Sequence, residues 1–73
     1  MAGPSLREIN QIIEYGRSLI SSGHSQREAL SLMYPRLEGT DDNFLIEALV
    51  MATGLNEADA QRFAFHERFK PQK

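Results

Sequence analysis

The side chains that could do chemistry in this chain are few, and their spacing points to contact with another molecule. Arg62, Phe65, Arg68, Phe69 and Lys70 lie within one short stretch near the C-terminal end. Phe65 and Phe69 are four residues apart, so on a helix they form a ridge of their own, flanked by Arg62 and Arg68. Aromatics beside arginines are what protein interfaces use as anchors. The competing arrangement has Phe65 closing the bottom of a bundle and Phe69 fraying with the tail, and the residues alone leave both open. Catalysis has much less to draw on. His24 and His66 are the only histidines, and neither belongs to a recognisable constellation of nucleophile, base and orienting group. His24 stands beside a helix-ending glycine, where it can meet the last carbonyls of that helix, and His66 falls on a solvated face. Asp41-Asp42-Asn43 lacks the alternating spacing and mid-loop glycine of a calcium site, and helix capping accounts for it. The chain has no cysteine, hence no thiolate metal site and no disulfide. We expect no enzyme activity, no metal and no cofactor.

The elements that must position that C-terminal stretch are announced by helix-start signals. Ser5 with Glu8, and Ser25 with Glu28, have the spacing of capping boxes. Thr40 opens the acidic run Asp41-Asp42-Asn43, and Asn56 precedes Glu57 and Asp59; both read as helix starts with carboxylates at the positive end of the dipole. Gly23, Gly39 and Gly54 sit just before three of these starts, where a preceding helix stops on a left-handed residue. The expected fold is all-α, a compact bundle of four short helices. Residues 1–4 are expected to be a flexible N-terminus, 5–70 a single helical domain and 71–73 a flexible C-terminus.

The first helix should run from Ser5 to about Ser22, with Leu6, Ile9, Ile13 and Ile20 on one stripe and Ile12 and Leu19 widening it. Gly16 interrupts that stripe at about 1 kcal/mol relative to Ala, which makes sense if another helix crosses closely there. The second helix starts at Ser25 and carries Ala29, Leu30, Met33 and Leu37. Pro35 disfavours helix at Tyr34, so the regular helix should stop or kink there, with one loose turn from Pro35 to Gly39. The third, from about Asp41 to Thr53, is apolar on every side except at Glu47. Such a helix is central to a bundle or partly covered by another chain. The fourth, from Asn56 to about Lys70, has Ala60, Phe63 and Ala64 along one edge and Phe65 and Phe69 along another.

At 73 residues the core is small, so a partner or a second copy could supply burial the chain lacks. The net charge of -2 argues against a broad polyphosphate-binding surface. Its distribution is uneven: Glu38, Asp41 and Asp42 are clustered, while Arg62, Arg68, Lys70 and Lys73 make the C-terminal end basic. The first four residues are too short for a signal peptide. The longest apolar stretch, Phe44 to Ala52, falls far below the roughly 20 residues of a membrane span. No membrane contact is expected, and the cytoplasm is the expected compartment.

Residues 45–66 resemble the helix-turn-helix family in having a short helix, a Gly54-Leu55 turn, a polar cap and a second helix with apolar Ala60 and Phe63. The chemistry departs from that pattern. Glu57 and Asp59 would meet the groove where such helices contact base edges, leaving Gln61 and Arg62 as readers. In size, lack of cysteine and helical type, the chain resembles the small host-takeover regulators made by bacteriophages. Among these are RNA-polymerase-binding proteins that block promoter initiation and promote terminator read-through. That resemblance rests on size and type, with no shared motif, and carries over no functional position. It implies a bacterial RNA polymerase subunit as partner, transcription regulation as outcome and the bacterial host cytoplasm as location. Two alternatives stay open: a small DNA-binding repressor using the last two helices, and a homodimeric adaptor or inhibitor of another bacterial enzyme.

Overall fold

The computed structural model describes residues 3–69. They form α1 (Leu6–Ser21), α2 (Gln26–Met33), a 3-10 turn (Tyr34–Leu37), α3 (Asp42–Thr53) and α4 (Glu57–Arg68), an all-α bundle with no strand among the described residues. Both capping boxes are formed. Ser5 Oγ accepts from the Glu8 N–H at 3.2 Å, and the Ser5 N–H donates to Glu8 Oε1 at 2.8 Å. At α2 the same pair of bonds between Ser25 and Glu28 measures 3.1 and 3.0 Å. Asn56 caps α4, its Oδ1 accepting from the Asp59 N–H at 2.8 Å. Gly23, Gly39 and Gly54 all have positive φ.

Three local expectations need correction. Asp41, not Thr40, caps α3, its carboxylate accepting from the Asn43 N–H at 3.3 Å. The Thr40 N–H instead bonds the Leu37 carbonyl at 3.0 Å, and its hydroxyl is buried without a hydrogen-bond partner among the described residues. Second, α2 does stop at Met33, but Tyr34 keeps helical dihedrals (φ -55°, ψ -48°) and passes directly into the 3-10 turn. The proline's restriction on its neighbour is overridden by packing, since Tyr34 meets Phe63 edge-to-face at 6.0 Å between ring centroids. Third, Leu6 is 65% exposed; the covered stripe of α1 begins at Ile9 and continues through Ile12, Ile13 and Gly16.

The core lies where α1, α2 and α3 converge, with α4 laid against α3. Met33, Leu37 and Leu49 are its largest fully buried side chains. Gly16 is the point of closest approach: a Cβ there would collide with Met33 Sδ and stand 2.8 Å from Ala52 Cβ. The missing side chain admits α2 and α3 at once. α3 covers only part of its apolar surface within the bundle. Leu45, Ala48, Leu49 and Ala52 are buried, whereas Phe44 and Met51 are 49% and 51% exposed. No helix among the described residues is long and apolar enough to cross a membrane.

Candidate protein-contact surface

α4 divides its aromatic residues between two environments. Ala60 and Ala64 are buried against the bundle, and Phe63 is half-buried on Tyr34. Phe65 and Phe69 point outward, 67% and 65% exposed, with ring centroids 4.7 Å apart and planes tilted by 42°. The four-residue spacing makes this pairing geometrically natural, since such positions are neighbours on a helix surface. A tilted, solvated aromatic pair of this kind leaves apolar area open to a partner.

The cations beside this pair are held differently from one another. Arg62 is exposed and makes an ion pair of 3.5 Å with Asp59 one turn earlier. Arg68 reaches back to α3 and grips Asp42 with both guanidinium arms, Nη1 donating to Oδ2 at 3.0 Å and Nη2 to Oδ1. That fork hydrogen bond, with the guanidinium charge, holds the Asp42 carboxyl below its ordinary value, against a desolvation effect that would raise it. Asp42 in turn raises the Arg68 pKa further, with smaller help from Tyr34. Arg68 therefore ties the end of α4 to the start of α3, and one of the two arginines flanking the aromatic ridge is already engaged within the bundle. Lys70 lies outside the described residues.

Between α3 and α4 two adjoining hollows share Asn43, Ile46 and Gln61. Phe44, Glu47, Val50 and Glu57 complete the lining of one, and Phe65 with the Asp42–Arg68 fork lines the other. Phe44 is the contact candidate that sequence reasoning did not single out. The all-round apolar pattern of α3 was its signal, but the pattern does not say which apolar residue the bundle leaves uncovered.

The histidines do not converge. His24 Nδ1 lies 3.2 Å from the Leu19 carbonyl, at the end of α1, and His66 is exposed on α4. Among the described residues, no three His, Asp or Glu side chains come together in a way that could hold a metal ion. At the turn between α3 and α4, the Thr53 hydroxyl donates to the Leu49 carbonyl at 2.8 Å, and Gln26 of α2 donates to the Thr53 carbonyl at 2.8 Å. The α3–α4 pair is thus bound into the bundle by α2. Compared with family models, curated proteins and solved structures, the chain matches none.

Proposed function

We propose that this chain is a non-enzymatic regulator that acts by occupying a surface on a larger protein, with the outer face of α4 as its contact. The observation that carries this reading is the exposed Phe65–Phe69 ring pair. Two large aromatics held in van der Waals reach of one another and left in water are hard to explain by stability, because burying either would be favourable. Arg62 lies on the same outward side of the helix and supplies a rim charge.

Bacterial RNA polymerase is the partner to try first, supported by the chain's likeness in size and helical type to phage regulators of that enzyme. The experiment is binding of purified bacterial RNA polymerase to the immobilised full chain, followed by single-round transcription across a promoter and a terminator. Wild type should bind, reduce initiation or raise read-through. Phe69→Ala should bind about thirtyfold more weakly, the consequence of losing an anchor worth about 2 kcal/mol. Normal binding by Phe69→Ala would remove α4 as the contact. Absence of polymerase binding would remove that partner, and sub-micromolar duplex DNA binding with a steep salt slope would replace the reading with a repressor.

A further inference from the structure

We infer that the furrow between α3 and α4 receives a cationic amphipathic helix of the partner protein, an inference that rests on the protein-binding reading above. The furrow has an apolar floor in half-buried Ile46 and Val50, with exposed aromatic rings at Phe44 on α3 and Phe65 on α4. Its charged residues are Asp42, Glu47, Glu57 and Arg68. Asp42 and Arg68 neutralise each other through their fork. Glu47 and Glu57 have no cationic partner among the described residues. The furrow therefore presents two carboxylates without a cationic side-chain partner beside apolar surface, and the fitting occupant brings lysines or arginines along the edges of an apolar stripe.

The same charges disfavour the other occupants. A two-fold contact between copies of this chain brings the same acidic patch to both sides of one interface, adding like charges there without a complementary cation. Nucleic acid would meet carboxylates instead of cations. A strand-like peptide gains little here, because no sheet edge exists among the described residues to pair with it, whereas a helix needs only a groove and apolar anchors.

The test uses the full chain, labelled with nitrogen-15, titrated with a synthetic leucine/lysine amphipathic helical peptide and with its leucine/glutamate counterpart. The lysine peptide should shift the amide resonances of Ile46, Val50 and Gln61 saturably, and the glutamate peptide should not. Reversing both charges (Glu47→Lys with Glu57→Lys) should weaken the lysine peptide by about tenfold, in keeping with two partly solvated pairs turned repulsive. Phe44→Ala should weaken it comparably while leaving the circular dichroism spectrum intact, since that ring is half exposed. Equal binding of both peptides, an unchanged affinity after charge reversal, or sedimentation as a dimer that protects these amides would overturn the inference. Phe69 does not line the furrow. Loss of peptide selectivity with polymerase binding still sensitive to Phe69→Ala would therefore sink the furrow alone, and the opposite pattern would sink the α4 ridge.

Discussion

Arg68 and Asp42, 26 residues apart in sequence, join the last turn of α4 to the first turn of α3 through a two-armed hydrogen-bonded ion pair. Both side chains remain substantially solvated, so the pair acts as a clasp more than as a source of stability. Its pH dependence has a definite sign. The folded Asp42 carboxyl titrates below its ordinary 3.8, so its contribution is present above that value and is lost as pH falls through the lower folded value. Asp42→Asn should melt slightly below wild type near neutrality, and the difference should vanish in acid below pH 3.8. Melting curves of both proteins across the acid range read this directly.

The small residue at position 16 is required by packing. Gly16→Ala gains about 1 kcal/mol of helix propensity but forces a Cβ onto Met33 and Ala52, and overpacking costs about 1–3 kcal/mol. The expected outcome is a net loss of stability. In an Ala52→Gly background, the same substitution should cost less, because one of the two colliding groups is gone. A denaturant double-mutant cycle measures that coupling; strict additivity would show that the helices separate instead of clashing.

Ser25→Ala removes the Oγ that accepts the Glu28 N–H at 3.1 Å. The loss should be about 1 kcal/mol, seen as a fall of several degrees in Tm for a domain of this size.

Thr40→Val should be neutral or stabilising. Among the described residues the Thr40 hydroxyl has no hydrogen-bond partner, and replacing an unsatisfied buried polar group by a methyl of similar shape relieves its desolvation cost, about 1–3 kcal/mol at most. A lowered Tm would show that the hydroxyl is hydrogen-bonded in solution.

Phe69→Ala and Leu49→Ala should separate contact surface from core. Leu49 is fully buried and its truncation should cost about 2–5 kcal/mol. Phe69, at 65% exposure, should leave the melting temperature nearly unchanged. Unfolding of Phe69→Ala would make that ring a structural element.

Much of this fold is local in origin, and what is local is legible in the chain. A capping box needs only a Ser and a Glu three residues apart, so the starts of α1 and α2 follow from Ser5, Glu8, Ser25 and Glu28 without reference to the rest of the molecule. The stops at Gly23 and Gly54 are equally local, since a left-handed residue favours glycine wherever it occurs. The four-residue spacing of Phe65 and Phe69 likewise makes them neighbours on any helix. Tertiary structure decided the rest, because burial depends on what lies opposite. Leu6 fits the apolar stripe of α1 yet stays 65% exposed, while Ile9, one turn on, is covered. Tyr34 remains helical before a proline because Phe63 packs on it. α3 is apolar on nearly every side, and only the positions of α1, α2 and α4 determine that Leu49 is covered and Phe44 is left open. Arg68 looks like a free cation in the sequence; its capture by Asp42 depends on a distance between two helices that no local pattern encodes.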